Sequence, residues 1–307
     1  MGKTVFMFPG QGAQYIGMAK DFYDAIPECR EVFEEASEAS GLDIAALCFE
    51  ENDKINITEY TQICMLTAEA AILRALEVKG YKADVTAGLS LGEYGALIAC
   101  GALSRKDAFA LVRKRGIYMQ EAVPEGGAMA AVLALDTAQI EEACKKTEGI
   151  VSIANYNCPG QIVITEEKAV AAAGELCKEA GAKRVVPLKV SGPFHSAMLK
   201  GAGEKLGEEL KHVTVHTPAI PYVANVTADY VTKEEEIKPL LEKQVSSSVR
   251  WQQTIERLIA DGADKFVEIG PGKTLTGFMR KINRDVAAVN IDKYEDFEKF
   301  VAESKNK

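Results

Sequence analysis

A serine between two glycines, Gly88-Leu89-Ser90-Leu91-Gly92, follows a short apolar run at 84–87 and leads into helix-forming sequence at about 91–100. Between a strand and a helix, G-x-S-x-G makes a sharp turn that lifts the serine hydroxyl clear of a sheet. The helix behind it aims its free N–H groups at the same spot, which favours an oxyanion. Glycines on both sides are expected to permit the strained backbone of the turn. Residues 3–8 repeat the theme, a buried strand followed by Pro9-Gly10-Gln11-Gly12 as a tight turn into helical sequence. Both segments place the chain in the α/β class.

Helical patterns are expected at 28–39 and 62–79, and the capping box Ser104-Arg105-Lys106-Asp107 opens another that runs to about Ala122. Between Gly126 and Phe194 the rhythm changes to strand 128–134, helix 136–146, strands 150–155 and 160–165, helix 167–181 and strand 184–190. That βαββαβ order predicts a small ferredoxin-like domain, 126–195, inserted in a larger one formed by 1–125 and 196–307. Its hinges are Pro124-Glu125-Gly126-Gly127 and Ser191-Gly192-Pro193. The larger domain resumes with helix 198–211, strand 220–225, helices 233–244 and 251–260, strand 265–269 and a terminal helix at 295–303.

Composition narrows the function. With 36 basic and 45 acidic residues the net charge is −9, which argues against general nucleic-acid binding. No apolar run approaches a membrane span and the N-terminus lacks a signal-peptide pattern, so a cytoplasmic protein is expected. The seven cysteines read as reduced core thiols, and without a C-x-x-C pair a metal site is not expected. Two glycine-rich segments fail as nucleotide loops. Tyr15 stands where G-x-G-x-x-G needs its third glycine, and Val267 where a phosphate-binding loop ending in Gly272-Lys273-Thr274 needs its first.

A serine hydroxyl needs a base, typically histidine, and the chain has three. His212 and His216 lie in an alternating, strand-like stretch that reads as exposed. His195 sits in Gly192-Pro193-Phe194-His195-Ser196, at the hinge where the small domain returns to the large one, and is the preferred base. No acid stands out as the middle member of a Ser-acid-His triad, which leaves a neutral carbonyl to orient the imidazole. Arg115 falls on the apolar stripe Ala108, Leu111, Val112, Met119 of its helix. A guanidinium there needs an anion. A salt bridge to Glu93 or Glu121, a side chain that reaches water, and a clamp for a substrate carboxylate all remain open. The same serine and histidine would also serve a thioesterase or esterase.

Five ordered segments carry a resemblance: Phe8-Pro9-Gly10-Gln11-Gly12-Ala13-Gln14; Gly88-Leu89-Ser90-Leu91-Gly92-Glu93-Tyr94; Arg115-Gly116 with Met119-Gln120; Gly192-Pro193-Phe194-His195-Ser196; and Glu268-Ile269-Gly270-Pro271-Gly272-Lys273. Over essentially the whole chain they resemble the malonyl-coenzyme A:acyl carrier protein transacylase family of type II fatty acid synthesis. The resemblance implies an α/β-hydrolase-like large domain with a parallel sheet, malonyl-CoA as substrate, acyl carrier protein as partner, no resident cofactor and a monomer. It implies Ser90 as acyl acceptor, His195 as base and Arg115 as the site for the malonyl carboxylate. It also implies an oxyanion hole from the backbone N–H groups of Gln11 and Leu91, a Gln244 carbonyl that orients His195, and Asn225 in support. Leu89 departs from relatives that carry histidine there, and Phe194 resembles the version that goes with malonyl selection. The acidic carrier would dock on one or both of two basic groups, Lys273, Arg280, Lys281 and Arg284, or Lys183, Arg184, Lys189 and Lys200.

Overall fold

The strand β1 (Lys3–Phe8) is buried on both faces from Val5 onward, as a central parallel strand must be. A computed structural model of the chain describes residues 2–122, 128–149, 151–166, 169–188 and 192–305. Behind β1 come four helices, α1 (Lys20–Ala25), α2 (Pro27–Ser40), α3 (Ile44–Phe49) and α4 (Thr58–Val78). Then follow β2 (Val85–Gly88), α5 (Gly92–Ala99) and α6 (Arg105–Ala122).

The next stretch contains β3 (Ala128–Leu133), α7 (Thr137–Lys146), β4 (Ser152–Cys158), β5 (Gln161–Glu166), α8 (Val170–Glu179) and β6 (Arg184–Pro187). The chain then runs through α9 (Lys200–Leu210), β7 (Tyr222–Val223), β8 (Tyr230–Val231), α10 (Glu234–Gln244) and α11 (Trp251–Ala260). It ends with β9 (Ala263–Ile269), α12 (Thr274–Ile282), β10 (Ala287–Ile291) and α13 (Tyr294–Lys305).

The large sheet has the order β10-β9-β1-β2-β7-β8, parallel except for the last pair. Successive side chains of a strand face opposite sides, and β1 uses both. Phe6 and Phe8 join the core formed with α2, α4 and α6, whereas Val5 and Met7 pack with Trp251, Ile255 and Leu275 of α11 and α12. Because β1, β2 and β9 are parallel, their C-terminal ends open on one edge, where α/β sheets bind ligands. Gln11, Ser90 and Gly270 all follow those ends.

The small sheet is antiparallel, with the order β4-β5-β3-β6. One face, including Val132, Ile153 and Ile164, is covered by α7 and α8; the other turns Met129, Ala131 and Val163 toward the core of the large sheet's helices. Two backbone bonds tie β4 to the loop after α10, Tyr156 N–H to Val249 O (2.9 Å) and Val249 N–H to Ala154 O (2.8 Å).

Several expectations need correction. The stretch 211–216 forms no strand; residues 211–213 turn back onto the end of α9, His216 N–H donates to Ala102 O, Val213 and Val215 tuck partly under the core, and both histidines stay exposed. Strand 220–225 shrinks to the two residues of β7, because Asn225 leaves the ladder for the site described below. The short elements α1, α3, β8 and β10 were not anticipated; six or fewer residues are too few to display a period. The hinge residues 124–127 and 191, and residues 189–190 of the expected last strand of the small domain, lie outside the described residues. Asp107 N–H donates to Ser104 Oγ at 3.1 Å, so the cap of α6 is as expected. All seven cysteines are buried and unpaired. Among the described residues no helix is long and apolar enough to cross a membrane.

Candidate active site

Ser90 sits at the turn between β2 and α5 with φ 53°, the left-handed region that non-glycine residues rarely occupy. Gly88 and Gly92 do not share that conformation, so the strain lies on the serine itself, contrary to the sequence expectation. The glycines serve close approach instead. A Cβ on Gly88 would lie 1.9 Å from Gly92 O, and one on Gly92 only 2.1 Å from Phe8 O. A left-handed residue of this kind costs on the order of 1–3 kcal/mol and persists only where its surroundings hold it. Here Asn225 clamps both sides of the turn: its Oδ1 accepts from Ser90 N–H (2.7 Å) and its Nδ2 donates to Gly88 O (2.6 Å).

His195, also left-handed at φ 58°, brings Nε2 to 2.7 Å from Ser90 Oγ. Its Nδ1 lies 3.0 Å from Gln244 O and 3.1 Å from Ser247 O. Both are carbonyls that can only accept, so Nδ1 carries the proton and Nε2 is free to accept from the serine hydroxyl. Gln244 is the last residue of α10, whose final carbonyls have no partner within the helix and carry the negative end of its dipole. A helix terminus therefore stands where a triad would place a carboxylate. Burial, aided by the nearby Arg115 charge, pushes the His195 pKa down to about 4.

Arg115 is 1% exposed, which removes the reading of a side chain that reaches water. Its guanidinium donates to Gln62 Oε1 (2.6 Å), Gln244 Oε1 (3.0 Å) and Ser90 Oγ (3.2 Å), and lies over the Tyr94 ring. The salt-bridge reading fails as well. Glu121 is 3.9 Å from Lys205, Glu93 accepts from Gln244 and Asn225, and among the described residues no carboxylate comes within ion-pair distance of Arg115. Desolvation lowers the Arg115 pKa, yet guanidinium stays charged in proteins. The site thus holds a buried cation with neutral amides and a hydroxyl as its hydrogen-bond partners, beside the serine.

Gln11 and Leu91 flank the same point, one just past β1 and the other at the cap of α5. Among the described residues neither backbone N–H has a protein acceptor, and both residues line the cleft with Ser90. The Gln11 side chain donates to Thr58 Oγ1 (3.1 Å) and so anchors its loop. The cleft, about 250 Å³, lies between the open edge of the large sheet and the inner face of the small one. Met119, Met129, Val163, Leu188, Phe194 and Phe278 give it apolar walls, and Asn155 and Asn157 add polar groups from β4. Among the described residues no three His, Cys, Asp or Glu side chains group as metal ligands.

The structure therefore brings all seven expected residues, Ser90, His195, Arg115, Gln11, Leu91, Gln244 and Asn225, to one place. Sequence reasoning missed Gln62 and the Ser247 carbonyl, and it named Glu93 only as a direct salt-bridge partner of Arg115, whereas Glu93 meets Gln244 instead. Gln62 carries the signal that exposed Arg115, a polar residue within a buried apolar helix, but a neutral one draws less notice. Of the basic residues, Lys273, Arg280, Lys281 and Arg284 are exposed on or beside α12, and Lys183 and Arg184 lie at the start of β6. Both elements reach the cleft, through Leu275 and Phe278 on one side and Leu188 on the other. Lys200 lies 3.9 Å from Glu204, and Lys189 lies outside the described residues.

A family model for the acyl transferase domain matches residues 5–295. The chain belongs to the acyl transferase family. It is 46% identical over 304 residues to the malonyl CoA-acyl carrier protein transacylase of Bacillus subtilis (strain 168), covering 97% of this chain and 96% of that one. Among solved structures it is similar to the malonyl CoA-acyl carrier protein transacylase from Clostridium perfringens, with a TM-score of 0.95 and 44% identity over 99% of this chain and 98% of that one. It is equally similar in shape (TM-score 0.95, 41% identity, 98% and 99% covered) to a malonyl-transacylase solved in complex with its type II PKS acyl-carrier protein.

His195 must be neutral to take a proton, and a pKa held down to about 4 keeps it neutral far below the ordinary histidine value of 6.5. For an acyl transfer through Ser90 with His195 as base, the pH dependence of acylation at saturating donor, measured in single turnovers, should be flat through pH 6.5 and fall only toward the lowered value. An acid limb centred at 6.5 would contradict this.

Proposed function

We propose that the chain transfers the malonyl group of malonyl-CoA to the phosphopantetheine thiol of acyl carrier protein through a malonyl ester on Ser90, supplying extender units for fatty acid synthesis. The observation that carries the reading is Arg115, a buried guanidinium with no carboxylate partner among the described residues, 3.2 Å from Ser90 Oγ. An acyl group that brings its own carboxylate satisfies that cation, and the planar fork suits a carboxylate. The relatives, malonyl CoA-acyl carrier protein transacylases, support the same substrate and partner.

In the first half-reaction His195 Nε2 takes the Ser90 proton as Oγ attacks the malonyl thioester. The Gln11 and Leu91 N–H groups receive the oxyanion, each worth roughly 10²–10³ in rate by analogy with such donors. The negative end of α10 and the Gln244 and Ser247 carbonyls stabilise the imidazolium. His195 returns the proton to the departing CoA sulfur. The carrier thiol then enters and the steps run in reverse, with one thioester replacing another, so the exchange is close to isoenergetic. Phe194 in the cleft wall favours malonyl over a branched homologue, by about 1–3 kcal/mol for one methyl group.

In this reading the chain divides into an α/β-hydrolase-like domain, 1–125 and 196–307, and an inserted ferredoxin-like domain, 126–195. Support comes from the β-α-β-β-α-β order and the antiparallel β4-β5-β3-β6 arrangement of the small sheet. The acidic carrier docks at the mouth of the cleft, where Arg280 and Lys281 of α12 face solvent.

Intact-protein mass spectrometry after brief exposure to malonyl-CoA or acetyl-CoA tests the reaction. A malonyl adduct on the wild type, little acetyl adduct, and no adduct on Ser90→Ala are expected. No adduct from either donor would overturn the proposal, and prompt loss of the adduct to water without carrier would favour a hydrolase. For docking, combined Arg280→Glu and Lys281→Glu should slow transfer to carrier about 3- to 10-fold at low salt while leaving Ser90 acylation unchanged. Transfer at the wild-type rate would remove α12 as the docking element.

A further inference from the structure

Glu93, in the first turn of α5, is 1% exposed. Its Oε2 accepts from Gln244 Nε2 (2.7 Å) and from Asn225 N–H (3.3 Å), while Oε1 has no partner. The other end of the same Gln244 amide, Oε1, accepts from Arg115 (3.0 Å). One neutral amide thus relays a buried carboxylate to a buried guanidinium that it does not touch.

The charged and titratable groups around Glu93 are few. From α6 comes Arg115; from α4 the buried Glu69, which lies against Gly95; from β7 Tyr222, with Glu236 of α10 facing that tyrosine; and from α5 itself Tyr94. His195 stands across Ser90. β1 and β2 meet α5 through Phe8 and Thr86, which do not titrate. Burial holds both tyrosines protonated. Of these groups Arg115 is the single permanent cation, and Glu93, when ionised, sits one amide away from it as a partial counter-charge.

We propose that loading of malonate onto Ser90 is proton-linked: the substrate carboxylate takes over Arg115, and Glu93 takes up a proton from solvent. The inference rests on the malonyl-transfer reading. With Glu93 and Arg115 both 1% exposed, two carboxylates and one guanidinium leave a net buried anion, which is avoided by protonating one of the acids. The substrate carboxylate gains direct bonds to the guanidinium. Glu93 has the relay, one long bond from Asn225 N–H and one bare oxygen, with no direct bond to the guanidinium, so it is the acid that protonates. Its burial already pushes its pKa up to about 7 in the empty site, so it starts partly ionised at neutral pH.

The covalent step itself consumes no proton. The Ser90 O–H and thioester C–S bonds break, the serine ester and the CoA S–H form, and His195 carries the proton from one to the other. Below the thiol pKa of about 8.5, any proton drawn from solvent therefore reports an acid of the loaded site, a side chain or the malonyl carboxylate. Transfer to the carrier would release it. An acyl group without a carboxylate leaves the Glu93–Gln244–Arg115 relay as it was.

The test is stopped-flow mixing of weakly buffered enzyme and malonyl-CoA with a pH indicator, with adducts counted by intact mass in the same samples. Uptake should be a fraction of a proton per malonyl adduct at neutral pH, should grow toward one as pH rises through the Glu93 titration, and should be absent per acetyl adduct and in Glu93→Gln. Infrared difference spectra of the wild type should gain a protonated-carboxyl band that does not shift with ¹³C-labelled malonyl-CoA, a readout that stands even if the variant folds poorly. Loading without uptake, equal uptake in Glu93→Gln, or a band that shifts with the label would overturn the proton linkage and leave malonyl transfer intact. Failure to load overturns both.

Discussion

A guanidinium buried without a carboxylate is costly, with an effective penalty of several kcal/mol per ion, and the cleft is organised around that constraint at Arg115. Gln62 from α4, Gln244 from α10 and the Ser90 hydroxyl satisfy part of its donor set, and the Tyr94 ring supplies a cation–π face. These partners hold the cation in place without neutralising it. Each also fixes something else: the Gln244 main chain orients His195, its side chain donates to the Ser90 carbonyl (2.9 Å) and to Glu93, and Gln62 lines the cleft. The charge that would select the substrate and the hydroxyl that would accept it belong to one hydrogen-bond network.

That network also accounts for the two left-handed residues. Ser90 and His195 are each held away from the ordinary backbone regions by nearby groups: Asn225, just past β7, grips the serine turn, and Gln244 at the end of α10 and Ser247 beyond it grip the imidazole. The missing third member of a triad is explained by the same geometry. The carboxyl end of a helix offers partial negative charge and a carbonyl at once, so no acid has to be buried against Nδ1.

How much of this was legible in the sequence depended on whether side chains or backbone carry it. Helix α11 was readable at 251–260 because its apolar period is strong, and α6 because Ser104 and Asp107 mark its start. Arg115 was readable because a charge on an apolar stripe is conspicuous, though only the structure removed the salt-bridge and solvent readings. The Ser247 carbonyl was not readable, since a backbone oxygen leaves no mark on residue identity; the Gln244 carbonyl entered only through family resemblance. The role of Gly88 and Gly92 was misassigned because glycine signals either positive φ or close approach, and composition does not distinguish them. The strand-like reading of 211–216 failed because alternation alone cannot show that no neighbouring strand is there to pair with.

The central claim is that Arg115 makes an acyl-serine site selective for an acyl group bearing a carboxylate. The most direct measurement is the ratio of kcat/KM for malonyl-CoA to that for acetyl-CoA in wild type and in Arg115→Ala. Removing one partner of a buried ion pair costs about 3–5 kcal/mol, roughly 10²- to 5 × 10³-fold in kcat/KM. The account predicts a fall of that order for malonyl-CoA, a much smaller change for acetyl-CoA, and a ratio that collapses at least tenfold. Equal losses for the two donors, with the ratio unchanged, would contradict it.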